Sequence, residues 1–300
     1  MTTAARTLPL AAPNAVLGVG LMLAAMFMFS ANDVLGKWLV STYSVGQVLL
    51  IRSAAGLIIL APFILRAGWR TLFSLERPWL QAARATLATA EVYLFYLAVR
   101  HMPLADAMTF WLAAPIYVAA LSPWLLGEKV GWRRWTAIGV GFVGVVIALD
   151  PSAQMLGGGA IYAIAGSLCF GLMMVTGRIL RGTPDVALVF WQMLGALAAG
   201  AVTAGMGWVA PTGFDVALLA LLGVVAMAAH ILVNRALKLA DAATIAPLQY
   251  TLLLWAIVFG YVIFGDIPRA DMLLGAAVIT AAGLYIFFRE RKVQGAGDTP

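Results

Sequence analysis

Charge is what this chain has least of. Lys, Arg, Asp and Glu make up 11% of its 300 residues, where a soluble domain carries about a quarter. So little polar surface cannot clothe a fold of this size in water, which excludes a soluble globular domain. Histidine occurs twice and cysteine once. The single cysteine, Cys169, rules out an intrachain disulfide and any multi-cysteine metal site. His101 and His230 are too few for a histidine-rich one, so neither metal nor cofactor is expected. There is no G-x-x-x-x-G-K-[ST] phosphate loop, no H-E-x-x-H and no G-x-S-x-G, and the chain is not expected to be an enzyme. The net charge of +6 is spread in short runs rather than gathered on one face, so nucleic acid is not an expected partner.

What the chain does have is apolar length. Hydrophobic residues make up 63%, and mean hydropathy is +0.96. Ten segments approach the ~20 residues that a helix needs to cross a bilayer. They fall at about 17–39, 46–65, 79–99, 105–126, 132–149, 159–180, 186–207, 214–234, 242–264 and 270–288. Alternation at period two, which a membrane barrel requires, is absent. The expected class is an all-α integral membrane protein in the lipid bilayer.

The basic residues set its orientation. With a cytoplasmic N-terminus, fourteen Lys and Arg fall on the cytoplasmic side and two, Arg100 and Arg269, on the other. That asymmetry follows the positive-inside rule and puts both termini in the cytoplasm.

The chain also repeats. "LADAMTFWLAAP" (104–115) returns as "LADAATIAPLQY" (239–250), and "LLGEKV" (125–130) as "IFGDIP" (263–268). Two five-helix units follow, 1–150 and 151–290, with a polar cytoplasmic tail at 291–300. Five is odd, so the second unit enters the membrane inverted. Inverted repeats offer two mirror conformations of one site, which is the basis of alternating access.

Charges inside spans are costly and point to function or to pairing. Asp33, Lys37, Arg52, Arg84 and Glu91 all lie in the first unit. Asp33 and Lys37, four apart on one helical face, are spaced to pair. Two readings stand: these groups fasten helices together, or they line a watery path. Candidate substrate contacts from the first unit are Asn32, Asp33, Arg84 and Glu91, with Tyr93, Tyr96 and Trp111 as an aromatic wall. From the second come Gln192, His230, Gln249 and Tyr250. Trp191 and Trp255 are also placed at central depth. Pro115 and Pro247 interrupt corresponding helices and predict bends.

Ten helices, the repeat, "LADA", a mid-helix proline and then "LLGEKV" resemble the drug/metabolite transporter superfamily, EamA type. The likeness covers about 15–290, and within the superfamily it is to YddG-type bacterial amino-acid exporters. The resemblance implies ten helices as a 5+5 inverted repeat around a central cavity, in the bacterial inner membrane. It implies a secondary transporter that exports small neutral or aromatic amino acids or related metabolites; a monomer is the expected state. The alternative is another solute class: a drug, a sugar nucleotide or a different metabolite. The second unit departs from the pattern: Pro247 lies earlier than Pro115 does relative to the Gly–acid pair, and the acid is Asp266 rather than Glu.

Overall fold

The computed structural model describes residues 13–127, 131–149, 158–180, 182–239 and 246–297, and those residues form helices and short connections. In chain order the helices are α1 (Pro13–Thr42), α2 (Val45–Ala67), α3 (Pro78–His101), α4 (Leu104–Trp111), α5 (Ala114–Leu125) and α6 (Trp132–Leu149). Then follow α7 (Gly158–Ile179), α8 (Asp185–Thr203), α9 (Gly213–Leu239), α10 (Thr251–Phe259) and α11 (Ala270–Gly297). Six helical stretches are long and apolar enough to cross a membrane, with shorter apolar helices at Trp135–Ala148, Leu248–Phe264 and Ala270–Ile286. The one expected span outside these sets is α3, which carries both Arg84 and Glu91.

Local chemistry explains the boundaries. Ser44 caps α2 by accepting from Gln47 N at 3.2 Å, and Pro78 opens α3, where its missing N–H costs nothing. The fourth span is broken where Pro115 falls. Its first piece stops at Trp111, and α5 restarts with Pro115 in its first turn. Pro247 lies in a 3₁₀ turn, Ala246–Tyr250, ahead of α10; its side chain is outside the described residues. A π turn, Gly260–Phe264, ends that span. Gly127 and Gly265 have φ of 68° and 70°, a left-handed conformation that only glycine adopts cheaply. Their neighbourhoods are open, so backbone angle and not space requires them. Glu128, Lys129 and residues 240–245 of the repeated motif lie outside the described residues. Helix α11 continues past the expected span end to Gly297.

The most extensive pairings are α6 with α11, α3 with α7, α1 with α9, and α2 with α8; α2 also meets α9, and α3 meets α8. Glycines allow the closest of these. Gly46 and Gly200 bring the backbones of α2 and α8 together, where a Cβ on either would strike the other helix. Small residues at such crossings are the membrane alternative to hydrophobic drive. The end at which α1 and α3 finish is termed distal below, and the opposite end basal.

Candidate functional site

The polar groups of the first unit do not pair as their spacing suggests. Lys37 Nζ bonds Asp266 Oδ2 at 2.8 Å and lies 4.5 Å from the centroid of the Phe264 ring. Asp33 is therefore not its partner. The i, i+4 rule offered Asp33, but the π turn after α10 delivers a carboxylate to the distal end, where Lys37 already points. A second distal set joins Arg269 to Asp106 at 3.8 Å and to Asp271 at 3.3 Å. Arg269 also donates to the Ala148 carbonyl at 3.3 Å. Asp106, in the first turn of α4 and 5% exposed, was read from sequence only as part of a repeated motif. Its signal was an acid at a helix N-terminus.

Released from Lys37, Asp33 is half-buried and makes neither a hydrogen bond nor an ion pair among the described residues. It sits within electrostatic reach of Arg52 and Glu91. Arg52 donates to the Tyr96 hydroxyl, and its guanidinium carbon lies 5.5 Å from that ring's centroid. Tyr96 is buried, and its ring is seated against Gly36 of α1. Glu91 Oε1 accepts from Trp111 Nε1 at 2.8 Å, tying α3 to α4. Phe95 stands edge-on to both Tyr96 and Trp111, at 5.5 and 5.2 Å. Four helices thus meet in one cluster: Asp33 from α1, Arg52 from α2, Glu91 and Tyr96 from α3, Trp111 from α4.

His230 of α9 joins this neighbourhood. It packs edge-on to Phe29 with ring centroids 5.0 Å apart and lies within electrostatic reach of Arg52 and Arg84. Even so, it is exposed. Arg84 reaches toward α8, its Nη1 donating to the Leu188 carbonyl at 3.5 Å. Several buried polar atoms nearby lack partners among the described residues: Ser30 Oγ, Asn32 Oδ1 and Arg84 Nε. Unpaired buried polar atoms are rare and call for a reason, such as water or a ligand.

Other expected residues stand elsewhere. Tyr93 is half-buried against the apolar core. Gln192 is half-buried on α8 and makes no hydrogen bond among the described residues. Gln249 is exposed, and the Tyr250 hydroxyl abuts Gly283 of α11. Trp191 is not central: its Nε1 donates to the Leu72 carbonyl at 2.9 Å, at the basal end. Trp255 stacks with Phe259 and meets Phe27 edge-on, at 6.0 and 5.0 Å. Sequence reasoning missed Phe29, because a Phe in an apolar helix carries no signal of its own.

Comparison with known proteins places these features in a family. The model of the EamA-like transporter family matches twice, over residues 16–149 and 157–288. The chain is 27% identical to a protein of Rickettsia bellii named as an S-adenosylmethionine uptake transporter, covering 92% of this chain and 95% of that one. It is also 27% identical to a protein of Rhizobium johnstonii named as a riboflavin transporter, with 93% of each covered. A solved crystal structure shares the fold with a TM-score of 0.61 at 18% identity, covering 90% of this chain and 96% of that one.

Proposed function

The chain belongs to the EamA-like transporter family, a multi-pass membrane transporter of a small metabolite rather than an enzyme, and we propose that its substrate is an organic cation with an amino-acid end. S-adenosylmethionine is the type case: it carries a sulfonium, an ammonium and a carboxylate, one positive charge in excess. The observation that carries this reading is the Asp33–Arg52–Glu91 set. When ionised, it holds one negative charge in excess. No member of it makes an ion pair within 4 Å among the described residues. Arg52 would take the carboxylate, since a guanidinium fits that planar group. Asp33 and Glu91 would face the two cationic groups.

Transport proceeds by alternating access in this reading. Two inverted five-helix units, 1–150 and 151–290, surround a central cavity. The double family match supports this, as do the reciprocal pairings. Exchanging each span for the one five later turns α3–α7 into α9–α1, and α2–α9 into α8–α3. The matched left-handed Gly127 and Gly265 support it as well. His230, exposed yet packed against Phe29 and within electrostatic reach of Arg52 and Arg84, supports the cavity. The ion pairs at the distal end hold that mouth closed, so the molecule faces the basal side. The Lys/Arg asymmetry makes the basal side cytoplasmic, with both termini there, in the bacterial inner membrane. The remaining expected contacts, Tyr93, Gln192, Gln249 and Tyr250, would engage only after the two units rearrange.

Export of neutral or aromatic amino acids is the finer reading that the resemblance suggested from sequence. A substrate with an excess positive charge fits the cluster better, and the Rickettsia relative is named for uptake. The deciding test is uptake of radiolabelled S-adenosylmethionine into sealed proteoliposomes. Competitors would be S-adenosylhomocysteine (which lacks the sulfonium), riboflavin and phenylalanine. Unlabelled S-adenosylmethionine is expected to compete strongly and these three weakly. Absence of S-adenosylmethionine uptake, or uptake blocked as well by S-adenosylhomocysteine, phenylalanine or riboflavin as by unlabelled S-adenosylmethionine, overturns the cation assignment.

A further inference from the structure

The helices α6 and α11 are packed unevenly. Toward the distal end they touch: a Cβ on Gly144 would press on Ile279, and one on Gly275 would strike the Ala148 backbone. Toward the basal end a groove of about 400 Å³ lies between them. Its floor holds Ala137 and Ala282, both buried, and Val140 and Ala281 line it further. Its mouth carries Trp132, Arg133 and Tyr285. Trp132 is 73% exposed.

The mouth is basic and amphipathic. Arg133 is exposed and has no carboxylate partner among the described residues; its guanidinium carbon lies 5.3 Å from the centroid of the Trp132 ring. The Tyr285 hydroxyl makes no hydrogen bond among the described residues. In sequence, Lys129, Arg134, Arg289, Arg291 and Lys292 flank the same ends of the two helices. Tryptophan, tyrosine and basic side chains at one depth mark a membrane–water interface. Basic pockets between spans on the cytoplasmic side suit anionic headgroups. Small residues behind them leave an apolar trough open where a larger side chain would otherwise pack.

We propose that this groove binds one anionic phospholipid, with an acyl chain along Ala137, Val140 and Ala281 and the phosphate between Arg133 and the Tyr285 hydroxyl. The lipid wedges the basal ends of α6 and α11 at the separation seen here, while the glycine contacts fix their distal ends. This assignment is independent of which solute is carried.

The test uses the purified full chain, stripped of lipid and titrated with dioleoylphosphatidylglycerol or dioleoylphosphatidylcholine, with adducts read by native mass spectrometry. The native protein is expected to bind a first phosphatidylglycerol in preference to phosphatidylcholine. Arg133→Gln, an exposed change that leaves packing intact, is expected to weaken that first adduct roughly five-fold, as one basic group near an anionic surface contributes. Ala281→Phe fills the trough and is expected to remove the first adduct of either lipid, with helical content checked by circular dichroism. Equal binding of the two lipids by the native protein overturns the proposal, as does an undiminished phosphatidylglycerol adduct in Arg133→Gln. A lipid-independent dimer that Ala281→Phe dissolves also overturns it, because the groove would then be a face between two copies.

Discussion

Lys37 and Asp266, 229 positions apart in the chain, meet at 2.8 Å across the distal end of the bundle. Both are mostly buried, at 14% and 26% exposure. Such a pair lies between the exposed kind, which contributes little, and the buried kind, whose breaking costs several kcal/mol. Lys37→Met is therefore expected to favour the distal-open state by about 1–3 kcal/mol, a roughly 5- to 150-fold shift in population. The readout is maleimide labelling from the distal side of a Thr109→Cys variant lacking Cys169. Thr109 is fully buried here, and labelling should quicken. The exchanged pair, Lys37→Asp with Asp266→Lys, should slow it again. Unchanged labelling in Lys37→Met removes the pair from any closing role.

Arg52→Lys keeps the charge and loses the guanidinium plane that spans Tyr96 and, in the proposed reading, a substrate carboxylate. We expect KM for S-adenosylmethionine to rise at least about ten-fold, equivalent to 1.4 kcal/mol, with expression and thermal stability near native. A KM within two-fold of native would leave Arg52 a fastener of α2 to α3 and nothing more.

Trp111→Phe removes the one donor that the half-buried Glu91 carboxyl has among the described residues. A polar group left unsatisfied on burial costs about 1–3 kcal/mol, so melting should fall by up to that much. Glu91→Gln retains an acceptor oxygen for Trp111 and should preserve stability while reducing uptake of a cationic substrate. Equal uptake by native and Glu91→Gln protein would show that the carboxylate acts only through Trp111.

Gly265→Ala places a side chain on a residue at φ 70°. Nothing crowds the position, so the cost is conformational, about 1–2 kcal/mol. Gly127→Ala, at φ 68°, should cost a similar amount. A denaturation series that finds one glycine replaceable and the other not would break the structural equivalence of the two units.

Much of this was legible in the chain. The apolar runs placed most described spans to within a few residues, because bilayer thickness dictates their length; α11, which runs on to Gly297, is the exception. Pro115 located the break between α4 and α5, because proline removes a donor wherever it sits. The partner of Lys37 was not legible. Helical spacing names neighbours on one helix, and nothing in it reveals that a π turn more than 200 residues later brings Asp266 within reach. Trp191 was misplaced for a related reason: a residue's depth follows from helix tilt and from the loop it meets, here the carbonyl of Leu72. The central cluster was half visible. Asp33, Arg52 and Glu91 stood out as charges in apolar sequence, but that they make no ion pair among the described residues is a fact of packing alone.

In the proposed alternating-access reading, the two sides of the distal mouth are closed by different physics. On one side the backbones of α2 and α8 press together at Gly46 and Gly200, a contact with no charge in it. On the other, Lys37–Asp266 and Arg269–Asp106 hold by attraction between ions. One edge therefore behaves as a hinge and the other as a latch. A change that weakens ion pairing loosens the latch and spares the hinge. In that reading the door would swing on a fixed edge, and the bundle would open without coming apart.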